Sequence, residues 1–334
     1  MMKIGIIGLG YWGTNLVRNF AGLSDAKLAL VADSRQERSK ILSKLSPTSA
    51  FTVSAEEVIN NPEIDAVVIA TPVFSHYELA KKALENGKHV LIEKPMTSST
   101  DQAKELIEIA TAKNLVLMVD HTFLYTGAVR KMKSLIDSGE IGNVKYFDST
   151  RINLGLFQPD VNVLWDLAPH DISILNYLVK EKPCSVQASG VSHTNNGIEN
   201  IAYIFVKYNS GFMAHFSCSW TSPVKIRMML IGGDKKMIVF NDVEPTEKIK
   251  VYDTGYAHKT DEEKKSVLVD YRTGDIYTPK LDTKEALAAM AADFVSAITK
   301  GTKPVSDFES GLEVIRILEA SQISIKEKSR EVSI

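Results

Sequence analysis

Residues 8 to 13 read Gly-Leu-Gly-Tyr-Trp-Gly, a G-x-G-x-x-G spacing suited to holding a dinucleotide. Gly8 permits a tight turn, Gly10 lets a pyrophosphate approach the backbone, and Gly13 lets a helix pack against its strand. A helix opening at Tyr11 and Trp12 would offer free N–H groups and a positive dipole end to phosphate. Asp33 follows about 20 residues on, where a ribose-binding acid is expected. A carboxylate there repels a 2′-phosphate, so NAD is the expected cofactor. Arg35, two residues further, keeps NADP possible; as a solvated first-turn residue it would have no such role.

Glu93-Lys94-Pro95 is a second group. An ammonium at Lys94 would favour an alkoxide-like transition state on a neighbouring hydroxyl. Glu93 could bind ribose hydroxyls or hold Lys94. A charged loop is the alternative. The third group is Trp165-Asp166-Leu167-Ala168-Pro169-His170-Asp171. Proline is tolerated in a first helical turn, so a helix is expected to start near Ala168 or Pro169. His170 would then sit at the positive end of the dipole, where a neutral ring able to accept a proton is favoured. Asp166 could orient it or share the proton. A capped helix start without chemistry fits the same residues equally well.

The surrounding pattern supplies the elements these groups need. Lys3–Ile7, Leu28–Ala32, Asp65–Ala70, His89–Ile92 and Leu115–Val119 are short apolar runs, and helical periodicity separates them. Such alternation predicts βαβ units and a parallel sheet covered on both faces. Gly8, Asp33, Thr71, Pro72 and Lys94 all follow strands, at the carboxyl edge where open α/β sheets bind ligands. Ser54/Glu57 and Ser75/Glu78 have capping-box spacing. His76, just after Ser75, could reach the cofactor ribose or be a polar first-turn residue.

Beyond about residue 120 the pattern changes. Helices are expected over Gly127–Ser138 and Pro169–Val179, and strands from Pro183 to Phe240. Ile201–Tyr208 and Phe212–Trp220 flank Asn209-Ser210-Gly211, a hairpin signal. Thr283–Lys300 and Phe308–Lys326 are amphipathic helices assigned mainly to the second domain. The expected architecture is an α/β Rossmann domain over residues 1–120. An α+β substrate domain with a large, mainly antiparallel sheet follows over 121–334.

These groups resemble the Gfo/Idh/MocA oxidoreductase family. Gly8–Gly13, Ala70-Thr71-Pro72, Glu93-Lys94-Pro95 and Asp166-x-x-x-His170 carry the resemblance over essentially the whole chain. It implies that Lys94, Asp166 and His170 form the catalytic triad. It also implies a cis Lys94–Pro95 peptide and a second domain whose open sheet face forms a homo-oligomer, a dimer or tetramer. Gly10–Leu16, Asp120–Tyr125 and Leu164–Asp171 are similar to a branch handling nucleotide sugars. That branch includes UDP-N-acetylglucosamine 3-dehydrogenases and enzymes of surface-polysaccharide biosynthesis. Relatives often carry proline where Thr14 stands, and a first helical turn accepts either.

Candidate substrate contacts are Lys94, His121, Tyr125, Arg151, Asn153, Asn162, Trp165 and His170, with Asp160 in the same stretch. An Arg fork suits a diphosphate and amides suit sugar hydroxyls; packing or strand polarity is the alternative for each. His193, His215 and His258 show no partner pattern. The expected reaction moves a hydride between nicotinamide and a sugar ring carbon. Inositol or free-sugar dehydrogenation, a glycosidase that recycles NAD, and a dinucleotide-binding regulator without turnover are the alternatives.

Composition agrees. Lys and Arg number 39 against 41 Asp and Glu, a net charge of −2 that gives no footprint for nucleic acid or anionic membrane. Apolar content of 44% with 24% charged residues suits a globular chain. Two cysteines, Cys184 and Cys218, and no zinc spacing predict neither a disulfide framework nor a metal site. No apolar run has membrane-span length and the N-terminus lacks a leader pattern, so a cytoplasmic enzyme is expected.

Overall fold

The computed structural model describes residues 1–155, 157–158, 161–194, 196–253, 255–257 and 270–334. Asp160 and His258 lie outside the described residues. The chain begins β1 (Met2–Ile7), α1 (Tyr11–Ala21), β2 (Ala26–Ala32), α2 (Ser39–Leu45), β3 (Ala50–Thr52) and α3 (Ala55–Ile59). It continues β4 (Ala66–Ile69), α4 (His76–Glu85), β5 (His89–Glu93), α5 (Thr100–Ala112), β6 (Leu117–Asp120) and α6 (Gly127–Asp137). Then come β7 (Val144–Leu154), α7 (Val163–Leu178), β8 (Pro183–Val191), β9 (Ile201–Tyr208), β10 (Met213–Ser219) and β11 (Thr221–Gly233). The last elements are β12 (Met237–Asn241), β13 (Ile249–Tyr252), β14 (Gly255–Ala257), β15 (Asp270–Arg272), β16 (Ile276–Tyr277), α8 (Ala286–Lys300), α9 (Phe308–Lys326) and β17 (Val332–Ser333).

The chain forms two compact units. The first holds residues 1–126 and 284–316. Its six strands are parallel in the order β3-β2-β1-β4-β5-β6. Every residue of β4 is buried, as a strand covered on both faces requires. The order reverses between β1 and β4, which opens a crevice at their carboxyl ends. Helix α1 turns Gly13, Leu16, Val17 and Phe20 inward, one helical face.

Helix α8 belongs to this first unit, whereas its amphipathic pattern alone had suggested the second domain. Phe294 meets Phe20 edge-on with ring centroids 6.4 Å apart. Asp293 accepts a 2.7 Å hydrogen bond from the Tyr125 hydroxyl, and Glu285 pairs with Arg18. Amphipathicity states that a helix has a buried face, not which surface buries it.

The second unit holds residues 127–283 and 317–334. Its nine-stranded sheet runs β16-β13-β12-β11-β7-β10-β9-β8-β17. Pairing is antiparallel except between β10 and β7. The β9–β10 hairpin turns through Gly211, whose φ of +85° suits glycine. Helix α7 packs on one face of the sheet. On the other, Tyr146, Tyr203, Phe205 and Met213 lie exposed around His215. Helix α9 gives residues 308–316 to the first unit and 317–326 to the second.

Candidate active site

The glycine loop joins β1 to α1. Gly8 takes a φ of +102°, and a Cβ there would stand 2.3 Å from the Ala70 carbonyl oxygen. A Cβ on Gly13 would stand 2.1 Å from the Gly8 carbonyl oxygen. Gly10 differs: nothing lies within 4 Å of its Cβ position, so the space beside it is open. Two glycines thus close the loop on itself and the third leaves room for a diphosphate. This loop opens onto a cavity of about 500 Å³ lined by Gly8, Gly10, Asp33, Arg35, Thr71 and Pro72. The arrangement fits a dinucleotide: phosphates over the α1 N-terminus, ribose toward Asp33.

Asp33 is buried just past β2. The Leu9 N–H donates to its Oδ2 at 2.8 Å. Arg35 donates its backbone N–H and Nε to Oδ1 at 3.0 and 2.9 Å, and Nη2 to Oδ2 at 2.9 Å. Burial pushes the carboxyl pKa up, but the Arg35 and Leu9 hydrogen bonds outweigh it and hold the group at about 2.

Tyr11 is 87% exposed at the loop rim. Trp12 turns inward, and its Nε1–H donates to Asp120 Oδ2 at 2.8 Å. Thr71 accepts from the Ser75 hydroxyl at 2.7 Å. Neither Ser54 nor Ser75 caps its helix with its side chain, although helices do start after both. His76 is buried: Nδ1 lies 2.9 Å from the Pro95 carbonyl oxygen and Nε2 lies 2.8 Å from that of Thr71. It braces two strand-end turns and does not present its ring to the cavity. Burial lowers its pKa, and the Lys94 charge adds to this.

Lys94 follows β5, and its peptide bond to Pro95 is cis. The Glu93 carboxylate turns back to accept from the Lys94 N–H. At the neighbouring strand end stands Asp120, an acid that the motif reading quoted but did not assign. It is buried, and Thr122 donates both its N–H and its hydroxyl to Oδ1. Burial raises the Asp120 pKa. A carboxylate closing a strand at the ligand edge was the available signal. His121 is buried with no hydrogen-bond partner on either nitrogen among the described residues. Burial, helped by the Lys94 charge, lowers its pKa to about 3, so its ring is neutral at physiological pH. Tyr125 is buried against Asp293 and Ser306.

In the second unit α7 begins at Val163, six residues earlier than Pro169 suggested. Asn162 is its N-cap and accepts from the Trp165 N–H at 3.2 Å. Asn162 also donates to Glu199 and Gln322, at 2.8 and 2.6 Å. Pro169 sits inside the helix, at the cost of the hydrogen bond the Trp165 carbonyl would accept. His170 is therefore two turns in, and the dipole argument for its neutrality does not apply. Asp166 takes the first turn instead. The two are four residues apart and share a helix face. Trp220, which sequence reasoning did not assign, donates its Nε1–H to Asp166 Oδ2 at 3.0 Å.

Arg151, expected to meet a diphosphate, is only 2% exposed. Its Nε donates to Asp171 Oδ1 at 2.8 Å, and Ser149 donates to the other oxygen at 2.6 Å. The guanidinium fork is committed to the core, which corrects that expectation. Asn153 and Trp165 are partly exposed on their elements. Among the described residues no group of His, Cys, Asp and Glu could hold a metal ion, and no helix is long and apolar enough to cross a membrane.

Comparison with known proteins decides the family. Residues 2–121 match the model of the oxidoreductase family with an NAD-binding Rossmann fold, and residues 129–239 match the GFO/IDH/MocA C-terminal domain. The chain belongs to the Gfo/Idh/MocA oxidoreductase family. It is an NAD(P)-dependent oxidoreductase. UDP-N-acetylglucosamine 3-dehydrogenase of Acidithiobacillus ferrooxidans is 30% identical over 69% of this chain and 71% of its own. A solved structure of that enzyme superposes with a TM-score of 0.82 at 25% identity, covering 98% of this chain and 99% of its own. The scyllo-inositol 2-dehydrogenase (NAD(+)) of Bacillus subtilis is 28% identical over 71% of this chain and 73% of its own.

Proposed function

We propose that this oxidoreductase acts on a ring hydroxyl of a nucleotide sugar such as UDP-N-acetylglucosamine, in the 3-dehydrogenase manner. The observation that carries this reading is the likeness to the Acidithiobacillus ferrooxidans enzyme, which holds in sequence and over nearly the full structure. Bound nicotinamide would supply hydride transfer to or from the ring carbon. In this proposal Lys94 polarises the reacting oxygen and positions the sugar. His170 takes the hydroxyl proton, and Asp166, fixed by Trp220, assists.

The likeness to scyllo-inositol 2-dehydrogenase supports a second reading, oxidation of a free polyol. We further propose a homo-oligomer formed through the open sheet face, because Tyr146, Tyr203, Phe205 and Met213 make an exposed aromatic and apolar surface there. A cytoplasmic location accords with use of the dinucleotide pool.

The test is absorbance of reduced nicotinamide, with NAD and NADP separately, across UDP-sugars, free sugars and inositols. Reduction with UDP-N-acetylglucosamine supports the proposal. Reduction with a free polyol alone replaces it by the second reading. Sugar cleavage without net NADH identifies the recycling glycosidase. Binding without turnover on any sugar, in either direction, identifies a regulator.

A further inference from the structure

Arg151 stands directly opposite a second arginine. Strand β11 pairs with β7 so that Arg227 faces Arg151. Opposite residues of paired strands project to one face of a sheet. Here that face carries α7, with Asp166 and His170, because Arg151 bonds Asp171 of that helix. Like charges placed opposite each other repel, so each guanidinium needs its own counter-charge. Arg151 has one, and holds Asp171 through its Nε–Nη2 edge. Arg227 is less well supplied.

The Arg227 side chain is 29% exposed, and its one charged partner among the described residues is Asp242, met by Nη1 at 3.4 Å. That is long for a hydrogen bond between charged groups. The Arg227 Nε is buried without a hydrogen-bond partner among the described residues. Asp242, just past β12, is also shared, since Lys248 meets its Oδ1 at 3.3 Å. Two cations thus divide one carboxylate at a place partly withdrawn from water. A half-buried donor short of a partner is costly, and an incoming anion removes the cost. Pairing between β11 and β7 lapses from Thr221 to Ile226, so the ladder is open just ahead of Arg227. Asn153, two residues past Arg151, lies opposite that lapse and adds an amide on the same face.

We propose that Arg227 is the substrate's anion anchor, and that its guanidinium receives a phosphate of the nucleotide sugar, the part expected of Arg151. With Nη1 on Asp242, the Nε–Nη2 edge remains, the same edge that Arg151 gives to a carboxylate. Such an edge offers two parallel N–H donors to two phosphate oxygens. The single long contact to Asp242 leaves the fork free to swing that edge outward. The inference rests on the nucleotide-sugar reading and names the group that would separate such a substrate from a neutral polyol. An inositol has no charge for Arg227 to hold.

The test is calorimetric titration of the full-length protein with UDP-N-acetylglucosamine, N-acetylglucosamine 1-phosphate and scyllo-inositol. NADH affinity, expected to stay within a few-fold, shows that each variant is folded. Arg227→Gln should weaken UDP-N-acetylglucosamine binding by about tenfold to a hundredfold, the loss of charge-assisted hydrogen bonds. Arg227→Lys keeps the charge without the edge and should fall between. Asp242→Asn removes the competing carboxylate, so binding should hold or tighten. A guanidinium that only braces Asp242 predicts instead that Arg227→Gln and Asp242→Asn weaken binding alike, and that result overturns the proposal. Unchanged affinity in Arg227→Gln overturns it too, while the substrate reading stands. Should Arg227→Gln fail to bind NADH, the Arg227→Lys and Asp242→Asn variants decide. Wild-type binding of the sugar 1-phosphate but not the UDP-sugar, lost in Arg227→Gln, keeps the anchor and removes the nucleotide-sugar reading. Binding of scyllo-inositol alone overturns both.

Discussion

Trp12 and Asp120 are 108 residues apart in sequence and joined by a 2.8 Å hydrogen bond from indole Nε1 to carboxylate Oδ2. The bond ties the first turn of α1, where a diphosphate would lie, to the end of β6. Trp12→Phe keeps the ring and deletes the donor to a buried carboxyl. A loss of about 1.5–3 kcal/mol is expected, the range for a hydrogen bond to a charged group. Urea unfolding measures it; an unchanged midpoint would show that the bond contributes nothing.

Gly10 and Gly13 should respond in opposite ways to the same substitution. Gly13→Ala forces a Cβ against the Gly8 carbonyl and should destabilise the first unit. Gly10→Ala meets open space and should change stability by no more than about 1 kcal/mol. Its methyl group would occupy the space left for the pyrophosphate, so NADH affinity should fall tenfold or more. Paired thermal melts and NADH titrations separate the two effects.

Asp171, which pairs with Arg151 of β7, and Asp166, four residues before His170, both lie on α7 but should fail differently. Asp171→Ala leaves a buried guanidinium without its counter-charge, and about 3–5 kcal/mol of stability should be lost. Asp166→Asn keeps shape and an acceptor for Trp220, so stability should hold while kcat drops. Denaturant curves with kcat measured on both variants check the contrast.

Lys94→Ala should reduce kcat by about 10²–10³ or more, the effect of deleting an oxyanion-stabilising donor. NADH affinity should stay within a few-fold. Full activity in this variant would remove Lys94 from the chemistry.

His121 gives an acid-side dependence whose sign is fixed. Burial first, then the Lys94 charge, lowers its folded pKa to about 3 from 6.5. Between these values the unfolded chain binds more protons, so stability rises with pH across the window and is lost as pH falls below about 6.5. His121→Phe removes that proton uptake, and its nitrogens have no partners among the described residues to lose. Unfolding midpoints from about pH 7 to about pH 5 should fall less steeply in the variant than in the wild type. Parallel slopes would contradict this account.

What could be read from the chain follows from how local each signal is. Gly8, Gly10, Gly13 and Asp33 were legible because glycine spacing and a strand-end acid are local requirements of one loop. The start of α7 was not, because proline marks first turns more often than interiors, while the Asn162 cap carries a weaker signal. Arg151 looked available because β7 alternates polar residues; that Asp171 lies opposite it in the core is a tertiary fact. The same holds for α8, whose apolar face is evident and whose partners, Phe20 and Tyr125, are more than 150 residues earlier.

The chain leaves its first unit after Thr126 and re-enters it at Lys284. A ribosome therefore makes β7 to β16 before the residues that complete the nucleotide-binding unit exist. At roughly 5–20 residues per second, the nascent N-terminal segment waits on the order of 10–30 seconds. Throughout that interval Phe20 lacks Phe294 and the Tyr125 hydroxyl lacks Asp293. Vectorial synthesis thus exposes an apolar strip of α1 until late in translation, and a fragment ending at residue 126 would keep it exposed permanently.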